Sequence, residues 1–197
     1  MLVVLRGALD AFASRCAAML SLEQRRADFL PRDAAVAAFE SATGACTLAV
    51  AHLEALRSAA GGALSGGNLA AFLADACHGF LGVLRPHLLR FSYSPTGGLK
   101  LKKDLQEYGA ALGALGGGPD AAREVERLLA LANLYVVTPD ALMGLVSGSL
   151  RMRHAEALRY LQCREDFKSA RVEGRTLLEL FSAEAGAMDK KLPAFKK

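Results

Sequence analysis

Apolar side chains recur along this chain in steps of three and four, the interval that returns a residue to the same face of an α-helix. Leu2, Leu5, Leu9, Phe12, Cys16 and Met19 follow one such seam, which predicts a first helix that must pack on something. Val36, Phe39, Thr43, Cys46, Val50 and Leu53 repeat the pattern and predict a second helix, started by Asp33 or Ser41 and weakened at Thr43 and Gly44. Gly61-Gly62 and Gly66-Gly67 bracket a stretch that reads as a flexible loop. Asn68 is a good N-cap for a third helix carrying Leu69, Phe72, Leu73, Ala76, Phe80 and Leu84. Pro86 should kink or end it, because proline has no amide hydrogen and crowds the preceding turn.

From Phe91 to Gly98 every local signal is that of a turn. Beyond it Leu101, Leu105, Tyr108, Leu112 and Leu115 predict a fourth helix, with Lys100/Asp104 and Lys103/Glu107 as i,i+4 pairs on its wet side. Gly116-Gly117-Gly118 ends it. A fifth begins near Pro119-Asp120 and carries Val125, Leu128, Leu129, Ala132, Tyr135 and Val136. Thr138-Pro139-Asp140 combines a hydroxyl cap, a proline at the first helical position and an acid at the positive helix end. That signal predicts a short sixth helix, over about 139–146. Gly148-Ser149 separates it from a seventh, in which Leu150, His154, Leu158 and Leu161 form one stripe and Tyr160, Cys163 and Phe167 another. Leu177, Leu178 and Phe181 suggest that the helix persists or resumes. No fixed-period repeat is visible. The expected architecture is all-α, an antiparallel bundle of six to eight helices spanning 1–185, with a basic tail over 186–197 expected to be disordered.

Composition agrees with this. The 197 residues include 37 Ala and 34 Leu, the strongest helix formers, while β-branched and aromatic residues are thin, which argues against an all-β protein. The net charge of +4 is modest, and its cations are interleaved with acids, unlike the one-sided surface of a dedicated nucleic-acid binder. Cys16, Cys46, Cys77 and Cys163 show no paired spacing and sit at apolar positions, so they read as buried thiols in a reducing compartment. The apolar start imitates a signal peptide, but no basic residue precedes Leu2 to Leu5, and Arg6, Asp10 and Arg15 interrupt the run. It reads as a core helix of a cytosolic protein. No stretch approaches about 20 consecutive apolar residues.

A search for chemistry returns little. His52, His78, His87 and His154 have no His or Cys partner at i+3 or i+4, so no helical metal site of the usual spacing is expected. The glycine clusters lack the Lys-Ser/Thr sequel of a phosphate-binding loop and read as helix stops. No serine stands in a nucleophile elbow, and the acids lie beside bases. The expectation is a protein without catalytic residues, metal or cofactor, and not an enzyme. Two basic features remain, Lys100/Lys102/Lys103 and the tail from Lys190 to Lys197. Each reads as a solvated surface, with contact to an acidic membrane through Lys190, Lys191, Phe195, Lys196 and Lys197 as the sharper alternative. Arg164 to Arg171, with charges of alternating sign around Phe167, reads as an exposed helical flank or a partner-facing ridge.

Three segments in order carry a resemblance. The run from Phe91 through Gly97-Gly98-Leu99-Lys100-Leu101-Lys102-Lys103-Asp104-Leu105-Gln106-Glu107-Tyr108 resembles the C-terminal region of the exocyst complex component five family, the Sec-ten subunit. Leu131-Ala132-Asn133-Leu134-Tyr135-Val136-Val137-Thr138-Pro139-Asp140-Ala141-Leu142 and Leu161-Gln162-Cys163-Arg164-Glu165-Asp166-Phe167-Lys168-Ser169-Ala170-Arg171 resemble it too. Glu23 to Phe29 and Thr43 to Leu56 fit more loosely, so the likeness spans roughly Leu2 to Arg171. Gly116 to Gly118, the Gly61 to Gly67 stretch and Pro86 depart from the family pattern, and the tail beyond Gly174 matches little.

The resemblance implies the end of a helical rod in a cytosolic tethering protein, part of an eight-subunit complex that holds secretory vesicles at the plasma membrane before fusion. It implies other exocyst subunits as partners, with a small GTPase as a further candidate, and supplies no catalytic residues. The family's members are several times longer, so the chain is expected to be a C-terminal fragment or a truncated gene model. Leu2, Leu5, Leu9 and Phe12 are then the candidate docking stripe, because the first helix lacks upstream neighbours. The alternative is a lipid-contacting helical module that uses the basic tail.

Overall fold

The computed structural model describes residues 2–31 and 41–182. The chain folds as a helical bundle. Helix α1 (Leu2–Glu23) leads to the single turn α2 (Arg26–Phe29), and then α3 (Gly44–Ala63), α4 (Gly66–Leu88), α5 (Pro95–Ala114) and α6 (Gly118–Val136) follow. An irregular helical segment comes next: a 3₁₀ turn (Pro139–Ala141), one α turn α7 (Leu142–Gly144) and a π turn (Leu145–Ser149). Helix α8 (His154–Leu161) precedes a small antiparallel hairpin of β1 (Arg171–Val172) and β2 (Arg175–Thr176), and residues 177–182 return to helix.

Two layers make up the core. Helices α1, α3 and α4 run up, down and up, so each is antiparallel to the next and α1 and α4 lie parallel side by side. Helices α5 and α6 are antiparallel, since Gly98 faces Tyr135 and Gly109 faces Val125. The predicted seams largely face inward: Phe12 and Cys16 from α1, Cys46 and Leu53 from α3, Phe80 and Leu84 from α4, and Leu105 and Leu112 from α5 are buried, while on α1 Met19 is half-buried and Leu20, one position off the seam, is fully buried. Each such leucine or phenylalanine contributes about 1.5–3 kcal/mol on leaving water. Between the layers the Phe80 and Tyr108 rings meet edge to face at 5.2 Å. Helix α4 is long and apolar enough by composition to cross a membrane, yet Phe72, Leu73, Ala76, Cys77, Phe80 and Leu84 are buried in the bundle.

Glycine is where the structure departs most from the pattern. Gly61 and Gly62 lie inside α3, only Leu64 and Ser65 separate α3 from α4, and Ser65 rather than Asn68 holds the N-cap position. A β-carbon on either glycine would meet nothing within 4 Å, so the helix simply tolerates them. Gly97 and Gly98 open α5 instead of preceding it, because Ser94 caps the helix by accepting a hydrogen bond from the Gly97 amide at 3.0 Å and Pro95 sits in its first turn. Their role is close approach. A β-carbon on Gly97 would lie 1.8 Å from the Phe29 carbonyl oxygen, and one on Gly98 would lie 2.9 Å from Tyr135 Cβ. Gly116 (φ 80°) and Gly118 (φ 70°) do supply the expected break, in the left-handed region.

Other expectations shift for local reasons. Thr43 is the N-cap of α3 and not a seam position, its hydroxyl accepting from the Cys46 amide at 3.1 Å. Val36, Phe39 and the starting residue Asp33 lie outside the described residues. Pro86 does not end α4 where it stands; the helix runs on two residues to Leu88. Thr138 makes no cap to the following amides, and its hydroxyl bonds Asp140 at 3.3 Å instead. The predicted seventh helix is cut to eight residues. After it the chain turns at Cys163, and the hairpin is closed by Glu173 (φ 51°) and Gly174 (φ 80°), the two left-handed residues that a two-residue hairpin loop requires.

Candidate docking groove

The first helix does not offer its whole seam to solvent. Phe12 is only 5% exposed and stacks on His52, with ring centroids 5.3 Å apart. Leu5 and Leu9 are half-buried against the core. Leu2 heads α1, and its side chain lies outside the described residues. Among the described residues of α1, the large apolar side chains of Val4, at 74% exposure, and Leu22, at 81%, stand clear of the bundle.

Clefts flank α1 on both sides. Toward α3, one of about 200 Å³ is lined by Ala8, Ala11, Arg15 and His52. Toward α4 there are two in line. The first, about 260 Å³, lies between Arg6, Leu9, Asp10 and Ala13 of α1 and Asp75, Ala76 and Gly79 of α4. The second, about 310 Å³, lies between Ala17 and Ser21 of α1 and Gly82, Val83, Pro86, His87 and Arg90 along α4 and its C-terminal end. The α1/α4 crossing thus leaves an open groove with small side chains on both walls. Sequence periodicity does not reveal it, although Ala76, Gly79 and Gly82 stand three apart on one helix face.

His87 lines this groove at 4% exposure, and its Nε2 has no hydrogen-bond partner. Burial, reinforced by nearby Arg90, pushes its pKa down to about 4, so the ring is neutral at physiological pH. Its other contact is the Phe91 ring, edge to face at 5.0 Å. Arg90 closes that end of the groove by donating to Ser21 Oγ at 2.8 Å.

Two buried charges hold the frame behind the groove, and the sequence presents both as surface groups. Asp104 is 1% exposed. It accepts from the Thr43 amide at 2.7 Å and from the Thr43 hydroxyl at 2.8 Å, tying the start of α3 to α5. Burial outweighs those bonds and raises its pKa to about 6. The expected Lys103–Glu107 pair does form on the wet side, at 2.8 Å. Arg164 is 4% exposed and lies in a turn, not on an exposed helical flank. Its guanidinium grips Asp166 through Nε and Nη2, both at 2.7 Å, while Nη1 donates to the carbonyls of Leu134 and Val137. The backbone beside it bridges Tyr93, whose amide donates to the Cys163 carbonyl at 2.7 Å and whose carbonyl accepts from the Glu165 amide at 3.0 Å.

Several other titratable groups are tied into the scaffold. All four cysteines are buried free thiols, as the sequence suggests, and burial raises Cys16 to about 12 and Cys77 to about 11. Arg85–Glu124 at 2.6 Å and Arg127–Glu156 at 2.9 Å link α4, α6 and α8. No group of three or more metal-ligating side chains gathers among the described residues. Lys190, Lys191, Phe195, Lys196 and Lys197 lie outside the described residues.

Comparison with known proteins follows the same contour. A family model described as exocyst complex component Sec10-like, alpha-helical bundle, matches residues 1–175. The chain is 37% identical over 154 residues to exocyst complex component SEC10a of Arabidopsis thaliana, an overlap covering 78% of this chain and 18% of that protein. It is 34% identical over 164 residues to exocyst complex component 5 of Oryza sativa subsp. japonica, covering 83% of this chain and 20% of that one. Against human exocyst complex component 5 the identity is 28% over 156 residues, 78% of this chain and 22% of the relative. The chain therefore spans about a fifth of the length of the curated relatives it matches.

Proposed function

The chain belongs to the Sec10-like family of exocyst components, and from that premise we propose that it is a protein-contact module of the exocyst, holding other exocyst subunits while secretory vesicles are tethered at the plasma membrane. The observation that carries the reading is the family match over residues 1–175, which takes in the bundle from α1 to β1. The physical chemistry supports it. Helices joined by short turns and fastened by Asp104 and Arg164 make a stiff body that presents a fixed surface. Its thiols are held protonated inside that body, and surface pairs such as Arg85–Glu124, Lys103–Glu107 and Arg127–Glu156 join its acids and bases.

The test is affinity capture of the chain from cells that contain the complex, with co-purifying proteins identified by mass spectrometry. Enrichment of other exocyst subunits is the expected result. Their absence from captures of a chain that is folded by circular dichroism would refute the reading. Two finer parts belong to the same proposal, a small GTPase among the partners and peripheral contact of the basic tail with acidic lipid. Each basic side chain near such a surface contributes about 1 kcal/mol. Sedimentation with acidic liposomes should fall on deleting residues 189–197 and weaken with salt; unchanged sedimentation removes the lipid contact.

A further inference from the structure

We propose that the groove between α1 and α4 receives an amphipathic helix of a partner protein, lying antiparallel to both walls, with an acidic first turn at Arg90 and a basic last turn at Asp10 and Asp75. The inference rests on the reading of the chain as a protein-contact module and names the site and the chemistry of its occupant.

Shape is the first argument. On α4 the lining runs from Asp75 to His87, about 18 Å at helical rise, with Arg90 just past the helix end. That is between three and four turns of a docked helix. The two clefts lie in line along this length, two to three turns apart, as pockets for successive anchors on one apolar helix face do. Ala13 and Ala17 on one wall and Ala76, Gly79 and Gly82 on the other keep the floor low enough for a third backbone to approach. Gly82 has nothing within 4 Å of its β-carbon position, and Gly79 has only the Ala13 methyl at 3.9 Å. The space is open, not closed by neighbouring side chains.

A backbone group is the second argument. Pro86 carries no amide hydrogen and so cannot donate to the carbonyl of Gly82, an exposed residue of the groove wall. A serine or threonine hydroxyl on the occupant supplies a donor there. His87, whose Nε2 is partnerless but has almost no accessible surface, stays behind that wall.

Charge sets the direction. The Arg90 end carries a guanidinium, whereas the other end has two carboxylates, Asp10 and Asp75, against the single cation Arg6. Acids are favoured in the first turn of a helix and cations in the last. An occupant that follows this preference and matches both ends must run opposite to α1 and α4. Since those two are parallel, their dipoles reinforce each other, and an antiparallel third helix opposes them.

The experiment uses the full chain and two fluorescein-labelled synthetic peptides of about 18 residues, some 27 Å when helical. Both carry leucine and alanine at i, i+3, i+4 and i+7 with a central threonine. One has glutamates in its first turn and arginines in its last; the other has these charges exchanged. Fluorescence anisotropy at low salt should show the first peptide binding about tenfold more tightly. Gly82→Leu fills the groove where the space is open. It should weaken that binding about tenfold or more with no loss of helicity or melting temperature, while Arg90→Glu should shrink or reverse the preference between peptides. Binding of neither peptide, equal binding of both, or binding indifferent to Gly82→Leu overturns the proposal. So does a dimer of the chain that Gly82→Leu dissolves, since a second copy would then be the occupant. If the groove proposal fails while exocyst subunits still co-purify with the Gly82→Leu chain, the docking site is elsewhere and the functional reading stands.

Discussion

Replacing Arg164 by methionine keeps most of the side chain's volume and removes its five donors. The arginine makes two bonds to Asp166 and donates to the Leu134 and Val137 carbonyls. Leu134 is in the last turn of α6 and Val137 is its C-cap, so these are carbonyls that the helix itself leaves without donors. With methionine both lose their partner, at about 1–3 kcal/mol for each that stays buried. The Asp166 side chain is 31% exposed and recovers part of its hydration, so the loss is less than that of a fully buried carboxylate. Together the changes should destabilise the chain by about 3–5 kcal/mol, the range seen when one partner of a buried pair is removed. Arg164→Lys should recover little of this, because an ammonium cannot reproduce the planar fork. Asp166→Asn, which keeps both carbonyl contacts, should cost about 1–2 kcal/mol. Urea unfolding followed by circular dichroism measures all three. If Arg164→Met lies within about 1 kcal/mol of the parent, or costs less than Asp166→Asn, the account of Arg164 as the fastening of α6 is refuted.

Three further outcomes follow from the same geometry. Asp104 titrates at about 6 in the folded chain against an ordinary value of 3.8, so the folded state binds the extra proton between those values. Ionisation therefore penalises folding as pH rises through about 6. The stability of the parent relative to Asp104→Asn should increase by up to about 3 kcal/mol between pH 7 and pH 4, and a difference that stays flat across that window defeats the assignment. Gly97→Ala forces a β-carbon into the Phe29 carbonyl and should cost about 3 kcal/mol in thermal unfolding, whereas Gly113→Ala, with open space around it, should be neutral or stabilising. A thiol reagent at pH 8 should find none of the four cysteines in the native chain and all of them after denaturation, because burial both covers them and raises their pKa values; rapid native labelling contradicts that burial.

The helices are legible because their inward faces are written in leucine and phenylalanine at helical spacing. Residues whose meaning depends on what lies opposite are not. Gly97 and Gly98 look like a turn until Phe29 and Tyr135 are seen against them, and nothing in the local pattern distinguishes a glycine that ends a helix from one that lets a neighbour in. Asp104 stands four residues from Lys100 and suggests a surface pair, but the partner that buries it is Thr43, on another helix. Arg164 sits in a run of alternating charge, the usual mark of a wet face. Only the carbonyls at the end of α6, some thirty residues away, make it interior. The same one-dimensional logic places the docking stripe on α1. Phe12 is covered and Leu5 and Leu9 are half-buried, and the opening meets the stripe at Leu9, with small residues of α1 and α4 forming most of the remaining wall.

The bridge at Tyr93 joins segments remote along the chain, and the Arg164 fork grips the end of α6 beside it. A pull that separates the α4–α5 corner from the α8 region strains the two backbone bonds and the guanidinium contacts at the same moment instead of one after another. Such a joint resists until it gives way as a whole. Under an applied pull this concentrates mechanical failure at one identifiable seam, and a small change at residue 164 should lower the breaking force far more than the loss of any exposed ion pair.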